Sequence, residues 1–303
     1  MRFVRQLALL LIVALPLCTF AAPDRPEITG IALVRLRVGN MDASRVFYAK
    51  TLGLTQAAKG CFSSAKTATC FIVNSIQQLE LIPSDPGENK NAVEAIGYHV
   101  RDANAMRAYL LARGVKCSEV KRSDSGDKYI EVQDPEDHRV LLLSPGNGTM
   151  SSVAISPLSN QIIHAGLVVR NRAVEDAFYQ NILGFRLYWH GGMKDDETSW
   201  VAMEVPNGTN WLEYMLGISP TADHHTLGVM NHISLGVMNI KAADARLINN
   251  GWKPTEEPKL GRDGKWQLNL YDPDDTRVEY MEFKPAQKPC CSDFTGPHPG
   301  PKG

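Results

Sequence analysis

The chain has 303 residues, of which 44% are apolar and 21% charged, and its formal net charge is −1. This length supports two domains with separate cores, and the composition is that of an ordinary globular protein. Acids and bases are interspersed with no basic run, which argues against a nucleic-acid partner.

Arg2 and Arg5 precede an apolar stretch from Leu7 to Leu17, and small residues follow at Thr19, Ala21 and Ala22. This is the order of a secretory signal peptide over residues 1–22, cut near Ala21 or Ala22. The stretch is too short to cross a bilayer, so the mature chain is expected to be periplasmic or secreted, with no transmembrane segment. Cys18 would suit lipidation, but Leu17 before it is bulky for that signal. Export leaves Cys61, Cys70, Cys117, Cys290 and Cys291 in an oxidising compartment. Cys61 and Cys70 suit a bridge across a hairpin, and Cys290 or Cys291 could reach back to Cys117. Free thiols are the alternative, and no cysteine spacing suits structural zinc.

In the first half, Ile31–Val38 reads as a strand, followed by Asn40 as a helix N-cap and Gly53 as a helix stop. Short strands follow at Phe71–Val73 and Leu79–Ile82, and the order restarts with strand Ile96–Val100 and helix Ala103–Arg113. Residues 147–160, rich in Ser, Gly, Asn and Pro, read as a linker. The second half opens with strand Ile162–Val169 and a helix from Asn171 to Gly184. It continues with strands Trp200–Val205 and Asn210–Leu216, strand His232–Val237 and helix Ala242–Asn249. Residues 286–303 form a Pro/Gly/Cys tail.

The halves repeat. Phe47-Tyr48 with Leu52-Gly53 recurs as Phe178-Tyr179 with Leu183-Gly184, displaced by 131 residues. Gly114-Val115-Lys116 recurs as Gly251-Trp252-Lys253 at 137, and Asp134-Pro135 with Arg139-Val140 recurs as Asp272-Pro273 with Arg277-Val278 at 138. These ordered matches indicate duplication, with domains at 28–146 and 161–285 and the pattern βαβββ written four times.

In the second half, His164 and Glu213 are 49 positions apart, and His232 and Glu279 are 47 apart. Each His opens a unit on a strand and each Glu closes one. A pseudo-twofold would bring two imidazoles and two carboxylates together, the donor set of a divalent metal. Strand alternation puts His164 on the face of Gly166 and His232 on the face of Ser234 and Gly236, which leaves room for a hollow. In the first half the aligned positions are Leu33, Ala95 and Leu141, with only Glu80 matching Glu213. The fold therefore does not require these polar residues, and the first domain is expected to lack a metal. Arg35 and Arg37, on the face of Leu33, could hold an anion or pair with Glu80.

The FYxxxLG helix ends, the aliphatic strands bearing His164 and His232, and the DPDDTRVE turn resemble the vicinal oxygen chelate superfamily of glyoxalases, epimerases, bleomycin-resistance proteins and extradiol dioxygenases. The resemblance covers about residues 28–285. It implies an α+β fold of two glyoxalase-like domains built from four βαβββ modules. Each domain would be a half-closed mixed β-barrel with helices outside. It also implies one divalent metal (Zn, Ni, Co, Mn or Fe(II)), with ligands on the first and fourth strands of two modules, which are His164, Glu213, His232 and Glu279. The expected activity is chelation of a small molecule through adjacent oxygens, in an isomerase or lyase with Glu213 and Glu279 as catalytic carboxylates. An Fe(II) extradiol dioxygenase and a non-catalytic binding or resistance protein are the alternatives. The extradiol pattern has a Tyr where this chain has Asn269, and a His where it has Leu260, Gly261 and Arg262. His190, Trp200, Trp211, Asn269 and Tyr271 are the candidate substrate contacts, His224-His225 reads as a solvated loop, and the chain could form a homodimer.

Overall fold

The structure, a computed structural model, describes residues 23–57, 61–63, 68–84, 92–146 and 158–301. The expected signal peptide (1–22) and most of the expected linker lie outside them. The first module is β1 (Ile28–Val38), α1 (Met41–Val46), β2 (Thr55–Gln56), β3 (Thr69–Ile72) and β4 (Gln78–Pro83). The second is β5 (Val93–Val100), α2 (Ala103–Leu111), β6 (Lys121–Arg122), β7 (Lys128–Gln133) and β8 (Arg139–Ser144). The third is β9 (Ile162–Val168), α3 (Arg172–Asp176), β10 (Arg186–Gly191), β11 (Trp200–Glu204) and β12 (Trp211–Met215). After α4 (His224–Met230) come β13 (His232–Val237), α5 (Ile240–Asn249), β14 (Lys259–Leu260), β15 (Trp266–Tyr271) and β16 (Arg277–Glu282). The α4 helix replaces the loop expected at His224-His225: Asp223 caps it by accepting Thr226 N, and His225 pairs with Asp275 at 3.2 Å.

The two domains have the same sheet order, β2-β3-β4-β1-β5-β8-β7-β6 and β10-β11-β12-β9-β13-β16-β15-β14. First and fourth strands of each module pair in parallel, and the two modules of a domain meet antiparallel through β1 with β5 and β9 with β13. The central strands β9 and β13 are buried along their whole length, as expected of strands covered on both faces. In each FYxxxLG segment the helix widens before it stops. Leu52 N–H reaches back five residues to Phe47 O and Leu183 N–H to Phe178 O, both at 3.0 Å.

Repeated residues join the domains. Tyr48 OH donates to Asp272 of the other domain and Tyr179 OH to Asp134, each at 3.0 Å. Asp274 accepts Gly39 N–H at 2.8 Å, and Glu136 accepts Arg170 N–H and Asn171 N–H. Asn40 caps α1 with its own side chain, whereas Asn171 makes no side-chain cap. Two amides tie the first strands together. Gln77 bonds Ile31 O, Ile162 N and Ile162 O, while Asn210 bonds Ile31 N and Ile162 O.

Cys61 pairs with Cys70, as the hairpin reading expected, with Cα atoms 5.7 Å apart. The tail cysteines pair with each other, and Cys117 is a free thiol. A bridge from the tail to Cys117 is thereby corrected: Cys117 lies beside Val132 in the first domain, whereas the tail packs on β10 of the second. Among the described residues no helix is long and apolar enough to cross a membrane.

Replacing Asn210 with Leu leaves the buried Ile31 N–H without its acceptor, at a cost of about 1–3 kcal/mol. Urea denaturation measures it, and a loss under about 0.5 kcal/mol, the range of an unremarkable surface change, would refute the bridge.

Candidate metal centre

The register of β9, β12, β13 and β16 brings His164, Glu213 and His232 within 4.8 Å of one another and sets Glu279 against His164. His164 stands opposite Trp211 and Ser234, Gly166 opposite Glu213 and His232, and Ser234 opposite Glu279. His164 Nε2 lies 3.0 Å from His232 Nε2, 3.2 Å from Glu279 Oε2 and 3.7 Å from Glu213 Oε2, and His232 Nε2 lies 3.1 Å from Glu213 Oε2. One ion with bonds of about 2.0–2.2 Å separates its neighbouring donors by about 3.0–3.5 Å. The donor set therefore fits a divalent metal. His164 and His232 are fully buried, and His232 Nδ1 lies 2.9 Å from Met230 O. His232 Nδ1 thus faces the backbone, while its Nε2 faces His164 and Glu213.

Small and flat neighbours shape this point. A Cβ on Gly166 would collide with the His232 ring, so that ring can lie against the strand only over glycine. The Trp211 ring lies along His164 with centroids 4.7 Å apart. Burial pushes the Glu279 carboxyl up, but the His164 hydrogen bond and the charges of His164, Arg277 and His232 outweigh it and hold it at about 2. Glu213 is also held low, by His232 and His164 against burial. Burial and the Arg277 charge push the His232 imidazole down, which favours the neutral, ligating form.

The first domain meets the same requirement differently. Arg35 occupies the position of Gly166, and its guanidinium lies 2.6 Å from Glu80 Oε2 and 3.3 Å from Glu94. Of the two readings offered for Arg35, pairing with Glu80 holds. Ser63 N–H bonds Glu80 Oε1 at 2.8 Å, and Phe62 fills the hollow with Leu33, Ala95 and Leu141. The Cys61–Cys70 bridge holds this plug in place.

In the second domain the hollow is a cavity of about 350 Å³. Glu213 and Glu279 line it with Trp200, Trp211, Asn269 and Arg277. Asn269 donates to Glu256 at 3.0 Å. Tyr271 and His190 are not among the lining residues. Tyr271 OH donates to Glu256 at 2.5 Å, and His190 lies on β10 with its backbone held by Ser292. The tail spans the free edges of the curled sheet. Cys290 N–H bonds Arg262 O and Ala286 N–H bonds Gly264 O near β14, while Thr295 N–H bonds Tyr188 O on β10. Phe294 thereby reaches the cavity.

Three residues that the sequence did not mark as site residues stand beside the centre. Arg277 Nη2 lies 2.8 Å from His232 Nδ1 and 2.9 Å from its Nε2, and the residue lines the cavity. Asp263 also lines it, and burial, with Glu279 and Glu213 nearby, pushes its carboxyl up to about 6 against the pull of Lys265. Lys265 is fully buried with its ammonium 4.5 Å from the Trp211 ring centre, 5.2 Å from Phe294 and 5.3 Å from Tyr188. Burial lowers it to about 8. The displacement of 138 that aligns Arg139 with Arg277 was the one available signal, and it marked only Arg277.

The family model of the Glyoxalase/Bleomycin resistance protein/Dioxygenase superfamily matches residues 30–142 and again 161–280. The chain belongs to this superfamily. Among solved structures, the 2,3-dioxygenase LapB from Pseudomonas sp. KL28 is 16% identical with a TM-score of 0.66, over 92% of this chain and 96% of that one. A homoprotocatechuate 2,3-dioxygenase variant from B. fuscum in complex with HPCA is 18% identical with a TM-score of 0.64, over 86% and 72%. The Brevibacterium fuscum enzyme with 3,4-dihydroxyphenylacetate is 19% identical with a TM-score of 0.63, over 93% and 87%. These similarities show the fold. No curated protein matches the chain.

Gly166→Ala is expected to displace the His232 ring and weaken metal binding at least about tenfold, the scale of disturbing a ligand's support. Titration against a chromophoric chelator measures this, and unchanged affinity would refute the close packing. Arg35→Met leaves Glu80 buried without a cation and is expected to destabilise the chain by about 3–5 kcal/mol in urea while its metal content stays the same.

Proposed function

We propose that this protein is a metal-dependent enzyme that holds a small molecule by two adjacent oxygens, with ring-cleaving dioxygenase chemistry of the extradiol type. The observation that carries the reading is a pair of imidazoles, His164 and His232, met by carboxylates at the base of an aromatic-walled cavity, with Glu279 3.2 Å from His164 Nε2 and Glu213 3.1 Å from His232 Nε2. This is the donor set of Fe(II) sites that take both a substrate and dioxygen. Fe(II) held there would supply the electron exchange through which dioxygen reacts with a chelated dihydroxy ring. The solved dioxygenases named above have the same two-domain fold, which supports the reading.

The residues divide the work. Trp200, Trp211 and Phe294 offer flat surfaces for a planar ring, and the tail excludes water from that side. Glu213, more open than the other three and held ionised, accepts a hydroxyl proton from the incoming substrate at Oε2. Asp263, with its carboxyl near 6, can return a proton at the cavity wall. This replaces the Tyr and His of the extradiol pattern, whose positions hold Asn269 and Leu260 to Arg262 here.

A second reading rests on Glu213 Oε2 standing 3.1 Å from His232 Nε2. If Glu213 is a fourth ligand, a non-redox metal would only polarise the chelated oxygens, and the reaction would be a proton shift in an isomerase or lyase. Export from the cell belongs with either reading and is supported by the leader-like N-terminus and the Cys61–Cys70 bridge.

The test is oxygen uptake by anaerobically purified, Fe(II)-loaded protein given catechol or 3,4-dihydroxyphenylacetate. His232→Ala is expected to lose the metal and all uptake. Glu213→Gln should keep the metal and lose about 100-fold or more in kcat. No uptake, together with metal loss in Glu213→Gln and turnover of α-hydroxy carbonyl compounds with Zn, Ni, Co or Mn, would replace the dioxygenase with the isomerase.

A further inference from the structure

The seam between the domains carries a second group of metal-binding side chains. Asp134 opens the turn from β7 to β8 and His138 ends it, while Glu175 comes from α3 of the other domain. One donor atom from each lies within 4.8 Å of the others. Asp134 is well partnered. Its Oδ2 accepts Tyr179 OH at 3.0 Å and lies 2.9 Å from His138 Nδ1, and its Oδ1 accepts Glu136 N–H and His138 N–H. Glu175 is fully buried, with Oε1 accepting Glu136 N–H at 3.1 Å; its Oε2 meets no donor, and its carboxyl faces that of Asp134 at hydrogen-bonding range. A buried carboxylate oxygen needs a proton or a cation.

The duplication provides a control. At the displacements of 138 and 131, the counterparts of Asp134, His138 and Glu175 are Asp272, Thr276 and Ser44. Asp272 keeps the same tyrosine contact and the same backbone donors, from Asp274 and Thr276. The middle of each turn takes the same left-handed backbone, at Asp137 and Asp275. Turn and seam therefore form with two small hydroxyl residues where the first copy has an imidazole and a second carboxylate. The turn and seam do not require an imidazole and a second carboxylate at these positions.

We propose that Asp134, His138 and Glu175 bind a divalent cation at the domain seam, distinct from the His164 centre. One nitrogen and two carboxylate oxygens suit a borderline ion such as Zn(II) or Mn(II). The cation gives Glu175 Oε2 a partner and ties α3 of the second domain to a turn of the first. The competing arrangement is a proton shared between Glu175 and Asp134, since burial and the charges of Asp134 and Glu136 push the Glu175 carboxyl up to about 9.

The proposal is tested by calorimetric titration of the full chain with Zn(II) and, separately, Mn(II), followed by counting bound metal after dialysis. The two centres are separated by His232→Ala. Wild type is expected to bind two equivalents, His232→Ala and Glu175→Gln one each, and the double variant none. His138→Ala, at a partly exposed position, should weaken the second equivalent at least tenfold and serves if Glu175→Gln does not fold. If Glu175→Gln and His138→Ala bind as many equivalents as wild type with the same affinity, only a shared proton is present and the proposal falls. If His232→Ala alone fails to change the count, the reading of the His164 centre falls instead.

Discussion

A carboxylate turned into the concave face of a curled sheet must meet a positive charge, because burial of an uncompensated anion costs far more than any single packing contact supplies. Both domains carry such a carboxylate at the same place, Glu80 and Glu213, on the fourth strand of a module. The first answers with Arg35, whose guanidinium is permanently charged and reaches Glu80 from the neighbouring strand. The second has Gly166 there, and the freed volume takes the His232 ring. Arginine in one domain and glycine in the other, with Leu33, Ala95 and Leu141 in place of His164, His232 and Glu279, thus separate a self-neutralised cup from one that gathers carboxylates and imidazoles.

The rest of the asymmetry follows from this difference. A neutralised cup has no use for solvent or substrate, and Phe62, pinned by the Cys61–Cys70 bridge, fills it. The second cup stays open, and flat aromatic side chains form part of its wall. Trp211 presents one side to His164 and its other contacts include the Lys265 ammonium. The tail then does from outside what Phe62 does from inside. By joining the β14–β15 turn to the β10 edge it covers two exposed sheet edges, which would otherwise be free to pair with other chains, and narrows the cavity mouth with Phe294.

The four-module fold and the approach of His164, Glu213, His232 and Glu279 to one another were legible because duplication supplies its own reference. His164, His232 and Glu279 stand out against Leu33, Ala95 and Leu141, and strand alternation fixes the face on which they lie. Asp263 and Lys265 were not legible. They sit in a turn whose Asp-Gly-Lys sequence is typical of solvated loops, and the rings that enclose Lys265 come from three distant segments. The tail's path was equally hidden, since a Pro/Gly-rich segment without periodicity gives no indication of the edge it will follow. His190 looked accessible beside Gly191-Gly192; it is not among the residues lining the cavity, and Ser292 sits on its backbone.

The same duplication also explains why the seam is conserved within the chain while the cups diverge. Tyr48 with Asp272 and Tyr179 with Asp134 are reciprocal contacts, each made by a helix of one domain with a turn of the other. Gln77 and Asn210 are reciprocal too, and between them they satisfy backbone groups of Ile31 and Ile162 that neither domain can satisfy alone. A change in one copy of such a pair leaves a buried polar group unmet in the other domain, so the copies are constrained together. The side chains inside a cup answer only to that cup's own charge balance. The cups could therefore diverge without loosening the joint, one closing on its own ion pair and the other staying open.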